Sequence, residues 1–231
     1  MSYVFTPPKR ASVAVLDNQE RFPVRRIFCV GRNYEAHARE MGNDPTREAP
    51  FFFTKPADAV VDCPCTIAYP PLTHDLHHEI ELVVAIGKGG RNLSQDTVMD
   101  YIWGASVGID LTRRDLQADA KKNGRPWDWA KAFDQSAPMG PIVPMADVPS
   151  LTSARIWLAV NGELRQDANI ADLIWSVREH IAILSEAVTL APGDLVMTGT
   201  PAGVGAVVPG DVITGGVDGI GELTVTIGPR A

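Results

Sequence analysis

Glu79-Ile80-Glu81, two carboxylates inside the apolar run His78–Ile86, is the segment of this sequence best equipped for chemistry. Period-two alternation puts Glu79, Glu81, Val83 and Ala85 on one side of a strand and Ile80, Leu82, Val84 and Ile86 on the other. The two glutamates then share a face, with α-carbons roughly 6.5–7 Å apart. Ionised carboxylates that close beside a core are costly unless a cation or several donors neutralise them. On pattern alone three readings stay open: an edge strand with one solvated face, a divalent-metal site, and a pair sharing one proton. Asp110 ends the small-residue run Ala105–Ile109 and either caps a turn or adds a third oxygen ligand. Three carboxylates with no companion thiolate favour a hard cation, Mg2+ or Mn2+, that keeps positions open for water or substrate. His74, His77 and His78 are rival ligands that would suggest zinc, but adjacent His77 and His78 point to opposite strand faces. Cys63-Pro64-Cys65 has no second cysteine pair, so ordinary buried or loop thiols are expected there. Their closeness in sequence also makes a mutual disulfide awkward.

A second constellation is His37 with Glu40. Spacing of three on a helix puts them on one face, where the carboxylate would fix the imidazole tautomer and raise its basicity, as suits a general base acting on water. A plain surface pair would use the same spacing. Gly104-Ala105-Ser106-Val107-Gly108 matches the G-x-S-x-G nucleophile elbow, but the apolar run continues through Ile109 where a helix should begin, and His180 sits inside a predicted helix. A serine hydrolase is therefore not expected. The loop Thr198–Gly205 is either an amide cradle for a carboxylate or a structural turn, and it lacks the Lys-Ser/Thr end of a P-loop.

The elements that must position these residues are short and mostly strands. Twenty glycines and eighteen prolines punctuate the chain throughout. Strands are predicted at 12–16, 26–30, 51–53, 66–69, 78–86, 105–109 and 195–198, with an Asn161-Gly162 hairpin joining Arg155–Val160 to Glu163–Arg165. Helices are predicted from Asn33 to Met41 with Gly42 at its end, from Ser94 to Ile102, from a Thr112/Asp115 capping box to Gly124, and from a Ser176/Glu179 capping box through Val188. Helices and strands do not alternate regularly, which argues against a doubly wound or barrel α/β fold and favours a strand-dominated α+β roll. Residues 1–24 read as a short N-terminal arm and 25–231 as one domain.

Lys plus Arg is 21 against 28 for Asp plus Glu, a net charge of -7 with no basic run, so no nucleic-acid or anionic-membrane partner is expected. No apolar stretch approaches the ~20 residues that span a bilayer. Met1–Arg10 shows no basic-then-apolar leader pattern and three cysteines form no paired framework, so the expected location is the reducing cytoplasm.

In order along residues 25–228, the segments Val30-Gly31-Arg32-Asn33-Tyr34, Phe53-Thr54-Lys55-Pro56, His77–Glu81, Gly108-Ile109-Asp110 with Thr112, Ala130–Asp134, Asn161–Gln166 and Thr198-Gly199-Thr200-Pro201 resemble the fumarylacetoacetate hydrolase family. The short chain is similar to its acylpyruvase branch. Arg21–Arg26 and Ala38–Gly42 look most like bacterial members that act on fumarylpyruvate in aromatic-compound degradation. The resemblance implies a mixed β-roll with a few short helices, and a homodimer. It implies Mg2+ or Mn2+ on Glu79, Glu81 and Asp110, His37 and Glu40 on a mobile lid activating water, and Lys131 meeting substrate oxygens. Arg32, Lys55, Arg114, Gln117 and Thr200 would bind the substrate. The implied reaction is hydrolysis of a carbon–carbon bond in a 2,4-dioxo acid, with oxaloacetate decarboxylation or 2-oxo-acid isomerisation as the alternative on the same scaffold.

Overall fold

Every residue of the strand Ile80–Ile86 is buried, on both faces. Ile80, Leu82, Val84 and Ile86 point into the larger apolar cluster, while Val83 and Ala85 point into a second one on the opposite side. The period-two pattern thus separates two cores rather than a core from solvent. The computed structural model describes residues 2–40 and 48–230.

Around this strand lies an eight-stranded mixed sheet. It runs in the order Phe51–Lys55, Arg26–Gly31, Asp194–Met197, Ile80–Ile86, Ile102–Ile109, Ala137–Met139, Val60–Asp62, with Val143–Pro144 also paired to Ile102–Ile109. Arg26–Gly31 pairs in parallel with Asp194–Met197, and Ala137–Met139 in parallel with Val60–Asp62. A five-stranded sheet (Glu163–Asn169, Arg155–Val160, Val212–Val217, Gly221–Arg230, Cys65–Tyr69) supplies Ile156, Leu158, Ile213, Val225 and Ile227 to the larger cluster. A small sheet of Thr112–Arg113, Leu76–His78 and Gly205–Val207 closes one end. The strand-dominated α+β roll expected from the sequence is the fold. Ser12–Ala14 and Arg21–Pro23 form a hairpin whose Val13 and Phe22 enter the second cluster.

The Asn-Gly hairpin forms as expected, with Asn161 at φ 52° and Gly162 at φ 81°, the left-handed pair a tight primed turn requires. The Ser176/Glu179 capping box opens the helix Val177–Ala187. Three expected helix starts are corrected. Ser94–Ile102 contributes only a 3-10 turn at Val98–Tyr101, because Ile102 already pairs with Ile86 in the large sheet. The helix Arg114–Lys122 has no side-chain cap: Thr112 is paired to His77, and Asp115 instead accepts from the Thr73 hydroxyl and the His74 amide. Asn33 does not cap the helix Glu35–Glu40; its buried amide donates to Trp175 O and Thr198 O and accepts from Trp175 N. The expected end of that helix, Met41 and Gly42, lies outside the described residues.

One buried amide ties the two large sheets to the glycine loop. Gln166 Oε1 accepts from Ile80 N at 3.2 Å and lies 3.0 Å from His78 Nδ1, while Nε2 donates to Thr200 Oγ1 and Pro201 O, both at 2.8 Å. Gln166→Leu leaves these partners buried without replacements, so it should lower the free energy of unfolding by about 2–4 kcal/mol. Urea denaturation of the two proteins checks this, and equal midpoints would contradict it.

Candidate metal centre

The register of the large sheet assembles the carboxylates. Ile80 pairs with Ile109 and Glu81 with Gly108, so Asp110, one residue past the strand end, arrives beside Glu79, one residue before its partner strand begins. Glu79, Glu81 and Asp110 each offer an oxygen, all within 4.8 Å of one another, and this is the one such group of three among the described residues. Glu79 is 5% exposed, Glu81 2% and Asp110 0%, which excludes the solvated edge-strand reading. The histidines do not join them. His78 is buried against Gln166, and burial pulls its pKa down to about 4. His77 faces Asp75, with Nε2 2.9 Å from Oδ1. The thiols of Cys63 and Cys65 are free and lie 3.7 Å apart.

Neutralising charge reaches these carboxylates unevenly. Lys131 Nζ donates to Glu79 Oε2 and Asp110 Oδ2, each at 2.7 Å, and Arg114 Nη2 donates to Glu79 Oε1. Burial alone would raise the Glu79 pKa, but Lys131 and Arg114 overcome it and hold the carboxyl well below the usual range. Burial likewise disfavours the Lys131 cation, and Asp110 with Glu79 more than restores it. Glu81 is treated differently. Among the described residues its donor is the Gly199 amide at 2.6 Å, and burial together with repulsion from Asp110 and Glu79 pushes its pKa well up. Lys55 Nζ sits 2.8 Å from Asp110 Oδ1, but its hydrogen bonds go to the carbonyls of Leu111 and Lys131, so that carboxylate oxygen accepts none. Oxygen ligands only, converging lone pairs, an Asp110 oxygen that accepts no hydrogen bond and a Glu81 carboxyl that no cation pairs among the described residues fit a hard divalent cation.

The other expected residues gather around this group. A chamber of about 30 Å3 is lined by Arg32, His37, Arg114, Gln117, Lys131 and Thr200 together with the three carboxylates. His37 Nδ1 is 3.2 Å from Glu40 Oε2, and both Glu40 oxygens also accept from Gly203 N. Burial lowers the His37 pKa against the pull of Glu79 and Glu40. Arg114 Nη1 donates to Gln117 Oε1 at 2.6 Å. Lys55, expected to touch substrate, instead lies behind Asp110 with its side chain fully buried. Sequence reasoning missed Lys121, Phe53 and Trp127, which also line the chamber. Lys121 follows Arg114 by seven and Gln117 by four, a helical spacing that could have flagged it.

The glycine loop is an amide cradle, and it receives the chain's own carboxylates: Gly199 N serves Glu81 and Gly203 N serves Glu40. Gly199 has φ +102°, and a Cβ there would lie 2.7 Å from Asn33 Cβ. The elbow match is empty of chemistry. Ser106 is fully buried within the strand Ile102–Ile109, and its hydroxyl donates to Gly140 O at 2.7 Å.

Residues 26–228 match the family described as Fumarylacetoacetate (FAA) hydrolase C-terminal. The chain is similar to a fumarylpyruvate hydrolase of Ralstonia sp, 48% identical over 186 residues, which are 80% of this chain and 96% of that one. It is also similar to the mitochondrial oxaloacetate tautomerase FAHD1 of Rattus norvegicus, 41% identical over 85% of this chain and 88% of that one. The crystal structure of fumarylpyruvate hydrolase from Pseudomonas aeruginosa in complex with Mn2+ and pyruvate superposes with a TM-score of 0.97 at 50% identity, covering 99% of this chain and 100% of that one.

The charge imbalance makes a two-sided prediction. A carboxyl whose folded pKa is raised holds its proton more tightly in the folded state, so its stabilising contribution is present at low pH and is lost as pH rises above the unfolded value, about 4.3. In chelator-treated protein, Glu81→Gln should therefore be at least as stable as the parent at pH 7 and should flatten this decline. Added Mn2+ at 100 times its Kd should stabilise the parent by about 2.7 kcal/mol and the variant far less. Thermal unfolding with and without Mn2+ measures both; an unchanged Mn2+ response in Glu81→Gln would remove that residue from the ligand set.

Proposed function

The chain belongs to the fumarylacetoacetate hydrolase family, and we propose that it hydrolyses the carbon–carbon bond of a 2,4-dioxo acid, fumarylpyruvate, to fumarate and pyruvate. The observation that carries this reading is one chamber containing both a triad of buried carboxylates suited to Mg2+ or Mn2+ and a neutral histidine held by a carboxylate. Glu79, Glu81 and Asp110 would hold the ion. When bound, it supplies Lewis-acid chemistry, favouring negative charge on the oxygens of the 2-oxo acid end.

The remaining work falls to the protein's own groups. Glu40, fixed by the Gly203 amide, accepts from His37 Nδ1 and leaves Nε2 as the base. His37 takes a proton from water as the oxygen attacks the C4 carbonyl. Breaking the C3–C4 bond releases fumarate, and the electron pair left on the three-carbon fragment collects a proton at C3 to give pyruvate. Lys131, the buried cation beside Glu79 and Asp110, favours the oxyanion that develops during attack. Arg114 fixes the Gln117 carbonyl oxygen, which leaves the Gln117 NH2 to donate to substrate. Thr200, whose hydroxyl accepts from Gln166, is held at the chamber wall.

The reading extends to aromatic-compound breakdown in the cytoplasm by a homodimer. No described helix is long and apolar enough to cross a membrane. Similarity to oxaloacetate tautomerase makes oxaloacetate the second substrate to test. Its isomerisation or decarboxylation requires the metal centre but no attacking water.

Purified protein with Mg2+ or Mn2+ should consume fumarylpyruvate absorbance and release pyruvate one for one, and chelation should stop it. Full turnover after exhaustive chelation would overturn the metal assignment, and turnover of oxaloacetate alone would overturn the hydrolase reading. Because burial lowers the His37 pKa, kcat/KM should fall only on an acid limb lying below the ordinary histidine value of about 6.5. His37→Ala should lose 10²–10⁴-fold, a range typical of a positioned general base, roughly that on hydrolysis and much less on any oxaloacetate reaction. Equal losses on the two reactions would assign the histidine to shaping the chamber rather than to water.

A further inference from the structure

Two cations of the chamber are left over by this machinery. Lys131, Lys55 and Arg114 are each tied to a carboxylate, whereas Arg32 and Lys121 have no ion-pair partner among the described residues. Both rest on aromatic faces instead. The Arg32 guanidinium carbon lies 5.5 Å from the Phe51 ring centroid, and Lys121 Nζ lies 5.2 Å from that of Trp127. Arg32 sits at φ 56°, and its Nε is buried without a hydrogen-bond partner. Phe51 and Phe53 pack on Trp127 with centroids 5.3 and 5.7 Å apart, so the three rings form one wall. A groove of about 590 Å3 runs along that wall and shares Arg32, Phe53, Trp127 and Lys131 with the chamber. A cation held over a ring keeps its N–H donors free for an incoming anion, which a salt-bridged cation does not.

We propose that Arg32 and Lys121 form a subsite for a second carboxylate at the far end of the acyl chain, which makes the enzyme selective for dicarboxylic over monocarboxylic 2,4-dioxo acids. The proposal rests on the hydrolase reading above and goes beyond it by naming what recognises the acyl end. The unsaturated chain of fumarylpyruvate would lie flat along the aromatic wall, its remote carboxylate reaching the two free cations. Loss of water around Lys121 and repulsion from Arg114 and Arg32 bring its pKa down to about 8 despite Glu79, so an arriving carboxylate relieves an existing excess of positive charge.

The test uses two ligands that lack the C4 carbonyl and so are not cleaved: 2-oxoheptanedioate and 2-oxoheptanoate, which differ only in the remote carboxylate. Calorimetry with the Mn2+-loaded protein should show the diacid binding at least about tenfold tighter, as befits a charge-assisted contact. Lys121→Met, on an exposed helix face and so expected to fold, should bring that ratio toward one, as should Arg32→Met, while Lys121→Arg keeps it. In parallel, the kcat/KM ratio of fumarylpyruvate to acetylpyruvate should fall about tenfold or more in Lys121→Met. Equal affinities in the parent, or an undiminished diacid preference in both methionine variants, would overturn the subsite. A parent that prefers the diacid yet cleaves neither dioxo acid would instead overturn the hydrolase reading and leave the subsite standing.

Discussion

Three carboxylates buried at the joint of two antiparallel strands are the constraint around which this protein is built. Removing them from water is tolerable only if positive charge and donors follow them in, and the fold brings both. Lys131 bridges Glu79 and Asp110 from one side, Lys55 supports Asp110 from behind, Arg114 fixes Glu79 from the helix, and the Gly199 amide serves Glu81. Each comes from a different part of the chain. The site therefore depends on the whole sheet being assembled, including the parallel pairing of Arg26–Gly31 with Asp194–Met197 that carries Asn33 to the Thr198 carbonyl and steadies the glycine loop.

The compensation is deliberately incomplete in its distribution, and chemistry follows from that. Glu79 is kept ionised by two cations, whereas for Glu81 burial and two like charges outweigh the Gly199 amide and the Lys131 charge, so it is the carboxyl for which a divalent ion would make the greatest difference. His37 is kept neutral by burial yet oriented by Glu40, the state a general base must start from. Under the proposed function, environments that drive neighbouring titratable groups apart in this way would separate ligand, base and electrostatic support within one small chamber.

A second division runs through the cations. Those nearest the carboxylates are committed to them, and those farther out rest on Phe51 and Trp127. In the proposed reading the first set fixes the reacting end of the chamber and the second would give its mouth a polarity for a substrate to match. An aromatic wall suits both tasks, because its rings hold cations without consuming their hydrogen-bond donors and present an apolar face to an extended acyl chain.

Local pattern determined a good deal by itself. Period-two alternation placed Glu79 and Glu81 on one face, Asn161-Gly162 made its hairpin, Ser176 with Glu179 capped its helix, and the unbroken apolar run after Ser106 ruled out an elbow. These are effects within a few residues, where backbone geometry is decided by side-chain chemistry nearby. What the sequence could not decide was anything that depends on where distant segments meet. It could not tell a solvated face from a second core behind Val83 and Ala85, since both give the same alternation. Nor could it show that Asn33 and Asp115, good capping residues by type, are spent on Trp175, Thr198, Thr73 and His74 instead. Lys55 and Lys121 are residues of one type, yet one is buried behind Asp110 and the other lines the chamber with no ion-pair partner among the described residues. Only the tertiary structure separates them, because the role of a charged side chain is set by which opposite charges lie within a few ångströms, and those are supplied by strands and loops remote in the chain.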